Sequence, residues 1–536
     1  MIRVLRMSWQ TRITVISFAI LVLVIAACSA DSTATPSTSE TLGGSSSSAP
    51  TPKSGEERVL KVATPFLDEP PDPYQAGWLA VPTGLAETLF KQDGNLNTEP
   101  WLASKAVQGE STAWEITLRD GVKFHNGVSM DAEKVKGSLD LALLRRPGTR
   151  VLLDIDRIEV KDRLTLVIHT NSPNPVLPGL LTNENTSIAD PSTVPTSVDD
   201  SAEFASMTGP YKLVSFSADQ TMTVVAHSVY WQGTPALDRI EFVTFNQSDT
   251  RLIALQTGDV DIAVELSPQG AVVVGNDSSL DVRTAAPTGM LFMYVNHESP
   301  KMQDHLVRKA ITLAVDRDLM ASGVADGHAF PANSLFPPGF LSCQNTSGYA
   351  YDPETARRLL AEAGYADEDG DGIVEKDGKA LELVLQTYPE RPLLPPMLEA
   401  YQSMLKDIGV GAKVQIVEWT LASQGVYDLF GYSNGTTTTG DPGWALNRHI
   451  LTGGDENRGN FSNAGVDELI GKLSSASDPV QRQLFACDAL QAANDEVALV
   501  PVMFPTRLYG VSDSVNWTSG PQAARIYFID HLIGLK

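Results

Sequence analysis

The stretch DEDGDGIVEKDG places Asp367, Asp369 and Asp371 at alternate positions followed by Gly372, the way a calcium-binding loop of the EF-hand type begins. Its end does not fit. The twelfth position, which should carry a bidentate acid, is Gly378, and Glu375 stands at the ninth, so a bound Ca2+ would need donors from elsewhere. The alternative is a solvated Asp-Gly turn leading from a helix into the strand KALELVLQ. Other reactive groupings are missing. The sequence has no Gly-Lys-Ser/Thr phosphate loop, no His-Glu-x-x-His pair and no Cys-x-x-Cys. Its eight histidines are scattered singly, so none pairs with another one helical turn away to grip a metal. Catalysis is therefore not expected. A secreted hydrolase, its residues assembled from distant positions, is the competing class.

Three cysteines remain. Cys28 ends an apolar run, Ile13 to Ala27, preceded by Arg3, Arg6 and Arg12 and by no acid. The run is too short to span a bilayer and has the layout of a secretory signal over residues 1–27. Ile25-Ala26-Ala27-Cys28 is similar to the lipobox of bacterial lipoproteins, which implies cleavage before Cys28, lipidation of its thiol and an extracytoplasmic, membrane-anchored protein. Residues 28–57 are rich in Ser, Thr, Pro and Gly and read as a disordered linker. Cys343 and Cys487 are then left either to bridge in an oxidising compartment or to sit as two separate buried thiols.

With 40 basic against 65 acidic residues and a formal charge of −25, the chain repels nucleic acid and anionic lipid. At 42% hydrophobic residues, the part from Arg58 onward can build two or three compact lobes. The elements alternate in kind. Trp114, Ile116 and Leu118 interleave with polar residues, Asp120-Gly121 turns, and Val122 and Phe124 resume before Asn126-Gly127, which predicts hairpins. RLTLVIHT and DRIEFVTF predict further strands, and DHLVRKAITLAVDRDLM has apolar residues at helical spacing. YDPETARRLLAEAGY predicts a helix capped by Asp352, with Pro353 at its first position and Gly364 at its stop. PPMLEAYQSMLKDIG then runs into the alternating VGAKVQIVEW, so helices and strands mix as in α/β lobes.

Taken in order, AETLFKQDGNLNTEPWLA, WEITLRDGVKFHNG, TGPYKLVSF, YWQGTPALDRIEF, ALQTGDVDIA, VRKAITLAVDRDLM and YDPETARRLLAEAGY resemble the family 5 extracellular solute-binding proteins of ABC transporters, the dipeptide, oligopeptide and nickel group. The resemblance implies an α/β fold of the type II periplasmic-binding-protein kind, two lobes about a hinge with an extra domain inserted in lobe I. Lobe I would take residues 58–83, 203–286 and 502–536, the inserted domain 84–202, and lobe II 287–501. It implies a monomer that hands a small solute to a permease driven by ATPase subunits. A peptide-like ligand comes first and a nickel or other metal chelate second.

The resemblance also points to pocket residues. QTYPERPLLPPM is similar to the stretch in which dipeptide binders pair an arginine with the ligand carboxylate, here Arg391, and a guanidinium fork suits that partner. In GYSNGTTTTGDPGW, the aspartate that holds a peptide amine in such binders would fall three residues ahead of Asp441-Pro442, where this chain has Thr438. A hydroxyl cannot neutralise an ammonium in a closed cleft. Asp441, Trp444 and His449, in or just after that loop, complete the expected ligand contacts, with His449 read equally well as one face of a helix. Trp78, Trp101 and Trp419 are weaker stacking candidates, since tryptophan fills cores first.

Overall fold

The computed structural model describes residues 57–536 apart from 94–95, 195–203, 286, 342, 344–347, 420–425 and 521–527, and Cys28 lies outside the described residues. Two large mixed sheets and one smaller sheet organise the chain. Strand Val59–Thr64 buries Leu60 and Val62 while Lys61 points out. It pairs in parallel with Arg239–Thr244 on one side and Ile262–Val264 on the other. The full order of this seven-stranded sheet is Leu280–Ala285, Arg507–Ser512, Ile262–Val264, Val59–Thr64, Arg239–Thr244, Thr221–Ala226, Tyr211–Ser217.

The six-stranded sheet runs Ala329–Pro331, Leu499–Pro505, Gly289–Val295, Leu429–Gly435, Glu382–Thr387, Gly411–Ile416. Gly289–Val295 is apolar without alternation, and Met290 to Val295 are all buried, because both faces of the strand are covered. Helix Leu394–Asp407 lays Leu398, Tyr401 and Leu405 against this sheet. Helix Pro353–Glu362 has the predicted cap, the Asp352 carboxylate accepting the N–H of Thr355 at 2.9 Å, and Gly364 takes φ +87° beyond its end.

A four-stranded antiparallel sheet, Ala103–Gln108, Ala113–Leu118, Thr165–Thr170, Ile155–Asp162, packs against helix Ala132–Arg145 through Ile116, Leu166, Ile168, Val135 and Leu139. The alternation around Trp114 therefore forms the expected hairpin strands.

The chain crosses between the two large sheets at two adjacent places. Leu280–Ala285 leads into Gly289–Val295, and Leu499–Pro505 leads through Thr506 into Arg507–Ser512. The division expected between residues 501 and 502 falls inside strand Leu499–Pro505, which stays in the six-stranded sheet to its end. The physical reason is that this strand is apolar on both faces and keeps pairing with Gly289–Val295 and Ala329–Pro331.

Candidate functional site

A cleft of about 330 Å³ opens where the three sheets' connecting segments meet. Phe66, Asp68, Glu69 and Trp78, which follow strand Val59–Thr64, form one wall. Arg146 and the turn Asn183 to Asn185 form a second, and Tyr388, Arg391, Trp419, Tyr432, Arg448 and Glu456, from the region of the six-stranded sheet, form the third.

The aromatic part is a connected cluster. Tyr388 meets Trp419 edge-on at 4.9 Å between centroids, and Trp419 stacks on Tyr432 at 5.8 Å. The Arg458 guanidinium lies over both Trp419 and Tyr432, at 5.3 and 5.2 Å, a cation–π arrangement that fixes their planes. Burial pushes the Tyr388 hydroxyl up to about 12, so it stays protonated and able to donate. Across the cleft, Trp78 Nε1 donates to Glu69 Oε1 at 2.7 Å, and burial raises the Glu69 pKa despite that bond.

The charged residues divide by how they are engaged. Arg391 is committed within the protein: its Nη1 donates to both carboxylate oxygens of Glu265, at 2.6 Å to Oε1, and its guanidinium lies 4.9 Å above the Phe66 ring. Burial, the largest single influence, lowers its pKa, but the charge and hydrogen bond of Glu265 together with Tyr388 and Tyr432 outweigh it and raise the pKa. Arg448 is similarly engaged, with Asp455 at 3.0 Å and Glu456 at 2.9 Å. Arg146 differs. It donates to the Gln75 carbonyl at 2.9 Å and makes no ion pair among the described residues. No sequence pattern marks Arg146; LLRRPGTR reads as an ordinary basic helix end.

The loop of four threonines is largely buried. Thr437 Oγ1 donates to the Thr288 carbonyl at 3.3 Å, and the hydroxyls of Thr436 and Thr439 are enclosed without a partner among the described residues. Thr438 borders a second cavity of about 170 Å³, together with Glu184, Trp444 and Arg448, and this cavity shares Trp78, Glu184, Asn434 and Arg448 with the main cleft. Trp444 is 4% exposed and carries the Arg448 guanidinium 4.7 Å over its ring.

The structure keeps two expected contacts away from the cleft wall. Asp441 caps helix Pro442–His449 by accepting the Gly443 N–H, and its other oxygen takes Arg482 Nη2 at 2.8 Å, so both oxygens are used in holding the chain. His449, 2% exposed, sits on the inner face of that helix, with Nδ1 2.6 Å from the Tyr294 hydroxyl and its ring against Phe292. Burial, then the nearby charges of Arg448 and Arg458, hold it neutral. Of the weaker candidates, Trp78 and Trp419 line the cleft and Trp101 packs against the core of the seven-stranded sheet.

Outside the cleft, one carboxylate oxygen from each of Asp367, Asp369, Asp371 and Glu375 lies within 4.8 Å of the others. All four carboxylates accept backbone N–H groups of the same loop, Asp367 from Gly370 and Gly372, Asp369 from Asp371, Asp371 from Ile373 and Glu375 from Glu368. That is the bonding of an Asp-Gly turn, and it lends no support to a calcium ion. Cys343 is joined to Cys487, of helix Pro479–Asp495, by a disulfide with the Cα atoms 5.5 Å apart.

A cleft between two mixed sheets joined by two adjacent crossings, walled by aromatic and charged residues, defines a two-lobed binding protein of the type II periplasmic kind. Residues 97–457 match the model of bacterial extracellular solute-binding proteins, family 5 middle, and the chain belongs to that family. It is similar to the nickel-binding protein NikA of Staphylococcus aureus, 27% identical over 476 residues that cover 88% of this chain and 93% of that one. It is also similar to the glutathione-binding protein GsiB of Salmonella paratyphi A, 25% identical over 84% of this chain and 85% of that one. Among solved structures, NikA from S. aureus in complex with Ni(L-His)2 superposes with a TM-score of 0.80 at 26% identity, covering 89% of this chain and all of the other. The oligopeptide-binding protein AppA from Bacillus subtilis, with a nonapeptide, gives 0.76 at 21% identity over 90% and 99%, a likeness of fold. The chain is thus an extracytoplasmic substrate-binding protein of an ABC importer and not an enzyme. Among the described residues, no helix is long and apolar enough to cross a membrane.

Proposed function

We propose that the protein captures a small solute derived from amino acids that presents a carboxylate at one end and amine N–H groups at the other, either a zwitterionic short peptide or an amino-acid complex of a divalent metal, such as nickel with histidine, in which the amine is bound to the metal. The observation that carries this reading is Arg146: a guanidinium in an aromatic-lined cleft, without an ion pair among the described residues, is matched by a carboxylate on the solute. Arg391, the residue expected for that role, is already neutralised by Glu265. Carboxylates on the same cleft, Glu69 and Glu184, suit the opposite end of a zwitterion. The cleft volume lies within the roughly 300–1,000 Å³ of small-molecule sites. The relatives support the chemical class, since the histidines of the Ni(L-His)2 complex and glutathione both carry α-carboxylates.

Cys28 is the proposed lipid attachment point, residues 28–57 the tether, and the working unit a monomer that docks on a permease with its ATPase subunits. Native mass spectrometry of the protein from Arg58 onward, before and after denaturation and refolding, tests the solute. A bound mass matching a short peptide, or a nickel isotope pattern with histidine, is the expected result. A neutral sugar or a lipid bound in the cleft would overturn it.

A further inference from the structure

We propose that Glu184, assisted by Asn185, receives the amine of the solute, an ammonium in a peptide and the N–H groups of the metal-bound amine in a chelate, where the resemblance would place an aspartate and this chain has Thr438; this rests on the zwitterionic reading above. The Glu184 carboxylate has no hydrogen bond or ion pair among the described residues, and its Oε2 is closed off from solvent. Beside it Asn185, only 9% exposed, also has an enclosed Oδ1 without a partner among the described residues. Both residues line the cleft, and Glu184 and Thr438 both line the adjoining cavity.

An ionised carboxylate only accepts hydrogen bonds, and leaving one enclosed without a donor is costly. A solute ammonium relieves that cost with charge-assisted bonds. The nearest protein cation does not. Arg448 is close enough for the charge of Glu184 to contribute to raising its pKa, yet its bonds go to Asp455 and Glu456. Trp78, which lines both cavities, offers an aromatic face to the same cation.

The turn is built to hold Glu184 in place. Asn183 Oδ1 accepts the Asn185 N–H at 3.0 Å, Thr186 Oγ1 donates to the Asn183 carbonyl at 2.7 Å, and Ser187 Oγ donates to the Glu184 carbonyl at 2.5 Å. The backbone of Gly77 lies directly against it: a Cβ at Gly77 would stand 2.2 Å from the Glu184 carbonyl oxygen. With Arg146 on the same cleft, the protein then offers a cation for the carboxylate end of the solute and an anion for the amine end.

Two probes test this by calorimetry on the protein from Arg58 onward: nickel(II) with L-histidine, and trialanine with its N-acetyl form as control. The expected result is that wild type binds at least one probe, that Glu184→Gln weakens it roughly 10- to 100-fold, and that Asn185→Leu weakens it less. The ligand-free melting temperature of Glu184→Gln should not fall, since its carboxylate holds nothing else. If trialanine is the probe bound, its acetylated form should bind wild type as poorly as trialanine binds Glu184→Gln. Equal binding by wild type and Glu184→Gln overturns the role of Glu184 and leaves the zwitterionic reading standing. An equal loss for free and acetylated trialanine together with a lowered melting temperature also overturns it, by making Glu184 structural. Binding of neither probe to wild type overturns the zwitterionic reading and this inference with it.

Discussion

Arg391 and Glu265 form an ion pair between segments of the two large sheets, the arginine following strand Glu382–Thr387 and the glutamate directly following strand Ile262–Val264. Glu265 takes φ +55°, unusual for a residue with a Cβ. Arg251, with no exposed surface, holds that bend by donating to the carbonyls of Val264 and Glu265. Removing one partner leaves the other charge buried, so Arg391→Met should destabilise the protein by about 3 kcal/mol. The double variant Arg391→Met with Glu265→Gln should recover much of that loss. Urea denaturation of the two variants measures it; equal stability of the double and the single variant would show that the charge pair is not the cause.

Arg146 is predicted to matter in the opposite way. Its one side-chain hydrogen bond among the described residues is to the Gln75 carbonyl, so Arg146→Met should change stability by less than about 1 kcal/mol. The same variant should weaken nickel–histidine or trialanine binding roughly 10- to 100-fold, the effect of losing a charged hydrogen-bond partner. Titration calorimetry beside the Arg391 variant ranks the two arginines, and a larger loss at Arg391 would reverse the assignment made here.

The elements were readable where local rules dominate. Asp352-Pro353 with Gly364, and the alternation of Trp114, Ile116 and Leu118, depend on backbone geometry and on one buried face, and both are written in short stretches of sequence. The site was readable only in part. QTYPERP and GYSNG do contain cleft residues, Tyr388 and Tyr432 among them, but Arg391 is neutralised by a glutamate 126 positions away. Such a pairing has no local signature. Glu184 and Arg146 were invisible for the same reason: what sets them apart is the absence of a charged partner among the described residues, which is a property of the folded surroundings. His449 shows the converse, a residue type suited to metal chemistry whose Tyr294 partner lies 155 positions away in the core.

Acid should expose the buried histidine. The folded pKa of His449 lies well below the unfolded value of 6.5, chiefly through burial, so the unfolded chain binds the extra proton. Its share of stability is complete above pH 6.5 and is lost as pH falls below it, by about 1.4 kcal/mol per pH unit. Glu87 works against this. It is fully buried, accepts bonds from Tyr230 and Trp231, and has its pKa pushed up by burial from 4.5 to about 7. Its contribution is complete below pH 4.5 and is lost as pH rises through 7. Between pH 4.5 and 6.5, His449→Gln should therefore make stability less sensitive to acid and Glu87→Gln more so. Urea midpoints across that range decide it, and parallel slopes for all three proteins would refute the assignment.

The disulfide spans 144 positions, and in the chain-entropy model a loop of that size contributes up to about 4 to 5 kcal/mol. Replacing Cys343 and Cys487 by serine should lower the urea midpoint. Affinity for nickel–histidine or trialanine should be unchanged, because neither cysteine lines the cleft. A shift in affinity without a shift in stability would contradict this.

The two crossings between the large sheets run side by side: Ala285 pairs with Arg507 in one sheet and Leu291 with Met503 in the other. Two neighbouring straps leave one easy rotation, about the line through both, and resist twisting. Gly289 and Thr506, at the crossings, border the same small space as Glu265 and Arg391. The ion pair therefore sits beside the pivot, where a given swing produces the least displacement. Leverage lets the far rim part widely enough to admit a solute while this inner pair stays closed, so that opening and shutting need not make and break a buried charge contact on every cycle.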